Sequence, residues 1–404
     1  MHEELLARID VASCLEFLSR MVQQRSYSES EGERELARYM AAQMQALGLE
    51  SELTPVPGGR LNAVGRLRGS GGGKSLLFNG HLDTNPATEG WTVDPWGGKV
   101  DEHFIYGIGV SNMKAGDAAY FCALRTLIEA GVKLKGDVIL TFVVGELQGG
   151  VGTLALMQQG LRADYFVNSE PTDLQAMTMH AAAFTFVIEL VGNTRHLSKR
   201  EEAVDAIVAA CDLIPRLDAL KFSGAWSPEH AGINRVHVGV IHGALGRSLA
   251  EWRPAQVADY VRLSGSGRYA PGQTEEAAVA DMRVALGALE ARFPGLKATL
   301  TPERITGRPT MPFFEVPKNS RIVQAVNRAY HQVRGVDQPT GAITPPGFYG
   351  TDAGHLQSVG GMEGVVCGPG GRYNTMPDER VDIADFLDMI RVYMLTILDI
   401  CEPA

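Results

Sequence analysis

Two side chains that can bind a metal or move a proton lie close together in segment 76–86. This segment reads LLFNGHLDTNP and places His81 and Asp83 directly after an apolar run. An imidazole nitrogen is a common zinc ligand, and a nearby carboxylate can fix its tautomer. The run 76–78 predicts a buried strand that ends where the sequence turns polar. Both side chains are therefore expected at the carboxyl end of a strand, where α/β proteins usually place their sites.

Further polar segments follow apolar runs elsewhere in the chain. Because the carboxyl ends of parallel strands meet at one edge of a sheet, segments of this kind can build a single site. They read GIGVSNMKAG (107–116), VVGELQGGVGT (143–153), NSEPTD (168–173) and CGPGGRYNTMPDERV (367–381).

The elements that must position these segments have an α/β pattern. Apolar strands alternate with helical segments such as 115–131 and 151–160, which predicts a mixed, mostly parallel sheet flanked by helices. Between 179 and 308 the order becomes strand, helix, strand, strand, helix, strand, which is typical of a small split βαβ domain. We therefore predict a catalytic domain from 1–178 and 309–404, interrupted by an inserted α+β domain at 179–308.

Composition excludes several classes of partner. The 404 residues are 45% hydrophobic and 21% charged, with a net charge of −10 and no run of Lys or Arg, so nucleic acid is not expected as a partner. No stretch approaches the roughly 18 apolar residues of a membrane span. The five cysteines are odd in number and widely spaced, which favours reduced core thiols. We predict a cytoplasmic protein that acts on a small molecule.

Taken in order, the polar segments resemble the motifs of one family of di-zinc amidohydrolases. This family contains aminoacylase, acetylornithine deacetylase, succinyl-diaminopimelate desuccinylase and the glutamate carboxypeptidases, and the resemblance covers essentially the whole chain. It implies that the inserted domain is a lid and dimerisation domain and that the protein is a homodimer. It also implies that His81 is a zinc ligand oriented by Asp83, that Glu146 is the general base and that Glu170 binds the first zinc.

The chain departs from the family pattern at one metal position. The family's bridging Asp, its second-zinc Glu and its second-zinc His correspond here to Asn112, Leu147 and Thr375. A leucine offers no donor atom, and a neutral amide bridges two dications poorly. A binuclear centre is therefore not expected, and the remaining ligands His81 and Glu170 predict either no metal or one weakly bound zinc.

The resemblance assigns further residues to the substrate. His196 matches the lid histidine that stabilises the oxyanion in the neighbouring subunit's site, and Arg268 matches the lid arginine that binds a substrate carboxylate. Other candidate substrate-binding residues lie in the large domain. These are Asn112, Thr351, Asp352, Gly370 and Thr375.

Three functions remain open at this stage. The first is hydrolysis of an amide (C–N) bond, with Glu146 as general acid and base, together with His81, Asp83 and His196, in a degenerate site that is metal-free or holds one metal at His81 and Glu170. The second is a metal-free acid–base reaction of another kind, such as ring opening, elimination, isomerisation or acyl transfer. The third is ligand binding without catalysis.

Overall fold

The chain divides into two compact units. A computed structural model describes residues 2–304, 306–343 and 346–404. The first unit comprises Met1–Met179 and Phe314–Ala404, and the second comprises His180–Phe313.

The strands are named in chain order. They are β1 Glu50–Val56, β2 Arg60–Leu67, β3 Leu76–His81, β4 Phe104–Tyr106, β5 Val138–Val143, β6 Tyr165–Asn168, β7 Ala176–Met177, β8 Met179–His180, β9 Ala182–Val191, β10 Arg235–Ala244, β11 Tyr260–Tyr269, β12 Lys297–Glu303, β13 Phe314–Glu315, β14 Thr340–Gly341, β15 Glu363–Val366 and β16 Arg380–Asp382.

The helices are named in the same way. They are α1 His2–Leu6, α2 Val11–Gln23, α3 Glu31–Ala46, α4 Ala115–Glu129, α5 Val151–Gln158, α6 Ala206–Asp218, α7 Pro228–Gly232, α8 Glu275–Arg292, α9 Arg321–Arg334, α10 Ala353–Ser358 and α11 Ile383–Cys401. Among the described helices, none has the length and apolar character needed to cross a membrane.

The first unit is built on an eight-stranded sheet with the order β1-β2-β5-β3-β6-β15-β7-β14. Its central strands β5, β3, β6 and β15 are parallel, and β1 and β2 are antiparallel additions at one edge. All residues of β3 and β5 are buried, as expected for strands covered on both faces. The predicted α/β fold with a mostly parallel sheet flanked by helices is confirmed.

The core of the first unit explains why these strands form where they do. Apolar runs such as Val138–Val143 are buried by helices that pack on the sheet, among them α4 and α11. The ring of Phe78 lies against the rings of Tyr120 and Tyr393 in this core. The polar segments that follow the strands are therefore attached to a rigid, well-packed support.

The second unit is a four-stranded antiparallel sheet with the order β10-β11-β9-β12. Along the chain it runs β9, α6, α7, β10, β11, α8, β12, so the predicted split βαβ order is present with one additional short helix. Alternate residues of β9 are buried against a separate apolar core to which α6 and α8 contribute. Asp205 and Thr274 cap the amino ends of α6 and α8.

Candidate active site

The sheet brings three of the polar segments to one edge. In the parallel pair β3 and β5, His81 lies opposite Val143, and in the pair β3 and β6, Asn79 lies opposite Asn168. The residues that follow these positions therefore leave the sheet side by side. This is the arrangement that the sequence predicts for the carboxyl ends of parallel strands.

His81, Glu146 and Glu170 form a compact cluster at this edge. The His81 Nε2 atom is 3.7 Å from Glu170 Oε1 and 4.0 Å from Glu146 Oε2. Each of the three residues has a possible ligand atom within 4.8 Å of those of the other two. The side chains are only 1%, 11% and 4% exposed for His81, Glu146 and Glu170. The cluster therefore combines an imidazole with two carboxyl groups in a space that largely excludes water.

Asp83 holds the turn that carries Glu146. Its carboxylate accepts hydrogen bonds from the backbone N–H groups of Gly145 at 2.8 Å, Glu146 at 3.2 Å and Leu147 at 3.2 Å. The Ser28 hydroxyl also donates to it at 3.0 Å. This role was not predicted from the sequence, which assigned Asp83 to the orientation of His81 and to the catalytic residues.

The orientation of His81 depends mainly on a backbone group. Its Nδ1 donates to the carbonyl oxygen of Asp83 at 2.9 Å, while the Asp83 carboxylate is 3.5 Å from the same nitrogen. On the other side of the ring, Nε2 donates to Asn112 Oδ1 at 3.1 Å. Both ring nitrogens thus face oxygen acceptors, which is the environment of a doubly protonated imidazolium.

The charges in the cluster are strongly coupled. Although burial opposes it, the carboxylates of Glu170 and Asp83 raise the pKa of His81 well above its usual value. Burial also raises the pKa of Asp83, but the hydrogen bond and charge of His81 outweigh it and lower the value to about 2. Burial raises the pKa of Glu170 to about 6, and burial together with the charge of Glu170 raises the pKa of Glu146 well above its usual value. Glu146 therefore holds a proton more readily than an ordinary glutamate does.

The turn that carries Glu146 depends on glycine. Gly145 has a φ of 79°, in the left-handed region, and a Cβ atom there would lie 2.4 Å from Val151 Cγ1 and 2.8 Å from Arg60 Nη1. Arg60 is itself buried and bonds Glu33 Oε1 at 2.5 Å and Gln148 Oε1 at 3.2 Å. This buried group of polar side chains lies directly behind the turn. It was missed in the sequence because Glu33 and Arg60 belong to segments without any catalytic pattern.

A second buried carboxyl group organises the Asn112 turn. Glu379 Oε1 accepts the backbone N–H groups of Ser111 at 2.9 Å and Asn112 at 3.1 Å. The backbone groups of Gly109 and Thr375 also bond this side chain. Glu379 thus connects the Asn112 turn to the loop that carries Thr375. The sequence alone predicted no role for Glu379.

The remaining predicted residues of the first unit lie at loops and helix starts. Asp352 precedes α10 and is fully buried beside the Thr153 side chain, and burial raises its pKa to about 7. Thr351 is buried and accepts from the backbone N–H of Ala353. Gly370 has a φ of 78°, and a Cβ atom there would lie 2.5 Å from Ser111 Oγ.

The other two predicted residues belong to the second unit. His196 is exposed and precedes the short 3-10 helix Leu197–Glu202, where its Nδ1 bonds Ser198 Oγ at 3.0 Å. Arg268 lies on β11 and donates to the carbonyl oxygen of Gly267 at 3.1 Å and to Ser266 Oγ. Their assignment to the substrate stays a prediction.

The donor set decides which metal centre the residues fit. At the second-zinc positions, Leu147 supplies only its backbone N–H to Asp83, and Asn112 and Thr375 are neutral. A binuclear zinc centre does not fit these residues. One divalent ion does fit the nitrogen of His81 and the carboxylate of Glu170, with Glu146 close by, because buried carboxyl groups that repel one another are stabilised by a cation.

A comparison with known protein families identifies the group to which this arrangement belongs. Peptidase family M20/M25/M40 matches residues 77–399, which include every member of the cluster. This chain belongs to that family. The resemblance drawn from the sequence motifs is confirmed, and the chain is a member of a family of hydrolases that usually bind zinc.

Curated relatives in the M20 family cover most of the chain. It is 25% identical over 392 residues to N-formyl-4-amino-5-aminomethyl-2-methylpyrimidine deformylase of Bacillus subtilis (strain 168), covering 90% of this chain and 88% of that protein. It is 29% identical over 345 residues to acetylornithine deacetylase of Erwinia tasmaniensis, covering 84% of this chain and 83% of that protein.

Solved structures of M20 proteins share the fold. The aminopeptidase PepT of Bacillus cereus superposes with a TM-score of 0.74 at 20% identity, covering 98% of this chain and 100% of that one. Human carnosine dipeptidase 1 gives a TM-score of 0.74 at 15% identity and covers 100% of both chains. At these identities the likeness shows the fold alone.

Proposed function

We propose that this protein hydrolyses an amide bond of a small, carboxylate-bearing substrate, with Glu146 as general acid and base and without a binuclear metal centre. The observation that carries the proposal is the buried cluster of His81, Glu146 and Glu170, in which Asp83 ties the turn of Glu146 to the strand end of His81. Membership of the M20 family supports the reaction class.

Each step of the reaction can be assigned to a residue. Ionised Glu146 removes a proton from a water molecule as the water oxygen attacks the carbonyl carbon of the substrate. The positive charge of His81 stabilises the oxygen anion that forms, and His196 of the lid domain adds to this in the proposed homodimer. Glu146 then returns the proton to the leaving nitrogen, which releases the amine.

One divalent ion bound by His81 and Glu170 would polarise the carbonyl group as a Lewis acid. With such an ion bound, His81 would be a neutral ligand and would no longer supply a positive charge, while Glu146 would keep its role as general acid and base. A metal-free site is favoured because the family's bridging Asp is replaced by the neutral Asn112, which leaves only His81 and Glu170 of the first-zinc ligands.

The substrate class follows from the relatives and from one lid residue. Relatives named for the removal of formyl and acetyl groups support a small acyl group on nitrogen. The guanidinium of Arg268 is suited to a substrate carboxylate. We also propose that the inserted unit serves as lid and dimerisation domain and that the protein is a cytoplasmic homodimer, which light scattering and cell fractionation can test.

The decisive experiment compares Glu146→Gln with Glu35→Gln, a control at an exposed glutamate of α3. Release of amine from a panel of N-formyl and N-acetyl amino acids is measured with and without a chelator. We expect Glu146→Gln to reduce kcat by about 10²- to 10⁴-fold, because general acid–base catalysis contributes that much. Equal kcat values for the two variants would remove Glu146 from the mechanism.

The same assay tests the charge state of Glu146. Because burial and Glu170 raise its pKa, the ionised form that acts as base increases as pH rises. Turnover is therefore expected to increase with pH above the range in which an ordinary glutamate ionises. A rate that is already constant from pH 5 upward would contradict this. If no amide is hydrolysed but another acid–base reaction is catalysed, the second function considered above replaces this one.

A further inference from the structure

A cavity of about 240 Å³ lies in the first unit beside the Asn112 turn. Asn85, Thr88, Asn112 and Thr375 contribute amide and hydroxyl groups to its lining, and Trp91 and Met376 contribute apolar surface. Two of these residues, Asn112 and Thr375, occupy the positions where the family places ligands of its second zinc. The cavity therefore lies where the family has ligands of its second zinc and this chain has Asn112 and Thr375.

The lining offers no free charge to a ligand. Glu379 is its only ionisable residue, as judged from the lining side chains, all of which the structure describes. That side chain is 2% exposed, and its carboxylate is occupied by the backbone N–H groups of Ser111 and Asn112. A carboxylate or phosphate in the cavity would lose its hydration without gaining a cationic partner, which is costly. The chemistry favours an uncharged ligand.

The cavity is directly connected to the cluster. Asn112 Oδ1 accepts a hydrogen bond from His81 Nε2 at 3.1 Å. The Asn112 side chain therefore contacts the cluster of His81, Glu146 and Glu170 and also lines the cavity. Because that oxygen is used by His81, the amide nitrogen of Asn112 is the group left to donate to a ligand. A molecule whose reacting carbonyl lies at the cluster can therefore place a neighbouring group in the cavity.

We propose that this cavity binds an uncharged, planar group of the substrate that carries hydrogen-bonding heteroatoms, such as a nitrogen heterocycle or a carboxamide. That the group belongs to the substrate rests on the proposed amide hydrolysis. A volume of about 240 Å³ corresponds to about eight water molecules, so a single ring with one small substituent fits. Apolar walls with a few polar groups are typical of sites for such rings.

The test uses two probes of the same shape that differ in charge. Nicotinamide is neutral, and nicotinate carries a carboxylate in place of the amide. Binding of each to the full-length protein is measured by titration calorimetry. We expect nicotinamide to bind with a Kd on the order of 1 mM and nicotinate to bind at least about tenfold more weakly.

A substitution in the cavity lining tests whether the preference for nicotinamide over nicotinate arises in the cavity. Thr375→Lys adds a cation to the lining, and Thr299→Lys adds the same charge at an exposed threonine of β12 as the matched control. Thr375→Lys should shift the ratio of the two Kd values toward nicotinate by about tenfold or more, since hydrogen bonds to charged groups are the stronger ones. Thr299→Lys should leave the ratio unchanged. Circular dichroism confirms that both variants fold.

Several results would overturn the inference. These are the absence of saturable nicotinamide binding at about 20 mM, equal affinity for the two probes, or the same ratio in Thr375→Lys as in Thr299→Lys. None of these results would by itself refute the proposed hydrolysis, which is tested independently. Glu146→Gln should still bind nicotinamide like the wild type, because Glu146 does not line the cavity. If the probe preference is found but no amide is hydrolysed, the cavity assignment stands and the reaction is wrong.

Discussion

Replacement of Asp83 by Asn removes one charge from the most constrained position of the active site. The Asp83 carboxylate is fully buried, faces His81 at 3.5 Å and accepts the backbone N–H groups of Gly145, Glu146 and Leu147. Asn has the same shape, but its NH₂ group would face some of these donors. The variant therefore loses the charge and at least one hydrogen bond, while the packing volume stays the same.

The size of the effect follows from the pKa of Asp83. It is lowered from 3.8 to about 2, which corresponds to about 2 kcal/mol of stability from the ionised form. Because the folded-state pKa lies below the unfolded value, this contribution is present above pH 4 and is lost as pH falls through about 2. At pH 7 we expect Asp83→Asn to lower the free energy of unfolding by about 2 kcal/mol.

The same substitution should act on His81. Without the Asp83 charge, burial lowers the pKa of His81 and only Glu170 and Glu146 oppose it. Urea unfolding between pH 5 and 8 measures the stability, and histidine-selective ¹H–¹⁵N NMR measures the pKa, with the resonance assigned through His81→Gln. Asp218→Asn, at an exposed position of α6, serves as the control. A stability change below about 0.5 kcal/mol, the range of ordinary surface substitutions, together with an unchanged His81 pKa would refute the reasoning.

Two further predictions concern metal content and the buried polar group behind the turn. Zinc analysis of the wild type after equilibration with zinc should give at most one ion per chain. The combined variant Asn112→Asp, Leu147→Glu and Thr375→His should give two, because it restores the ligands of the second zinc. Two ions in the wild type would contradict the conclusion that its residues do not fit a binuclear centre. Arg60→Met should cost about 3–5 kcal/mol at pH 8, because it leaves Glu33 buried without its cation. Since burial raises the pKa of Glu33 to about 7, the cost should be smaller at pH 5, where that group is protonated; an equal cost at both pH values in urea unfolding would contradict this.

The sequence predicted the framework of the fold because its signals are local. Apolar runs such as 76–78 and 138–143 mark buried strands without reference to the rest of the chain. The change of pattern after residue 179 likewise predicted the split βαβ order. The positions of His81, Glu146 and Glu170 next to one another followed from strand ends that meet at one edge of a parallel sheet.

The supporting contacts of the site could not be predicted in this way. Asp83 binds backbone N–H groups, which every residue has, so no side-chain pattern indicates its partners. Leu147 has a side chain that can neither bind a metal nor move a proton, yet its backbone N–H helps to hold the turn. Glu379 acts in the same way on Ser111 and Asn112. These contacts depend on three-dimensional closeness alone.

The hydrogen bonds that hold the site together connect distant parts of the chain. Asp83 and Gly145 are separated by 62 positions, His355 and Gly149 by 206, and Glu379 and Ser111 by 268. Closing loops of this length is entropically costly and slows folding. During synthesis, the cavity beside the Asn112 turn therefore cannot take its final shape until the segment that carries Glu379 has left the ribosome. A chain that still lacks this segment contains the strand ends that carry His81, Glu146 and Glu170 but not the side chain that connects the Asn112 turn to the Thr375 loop.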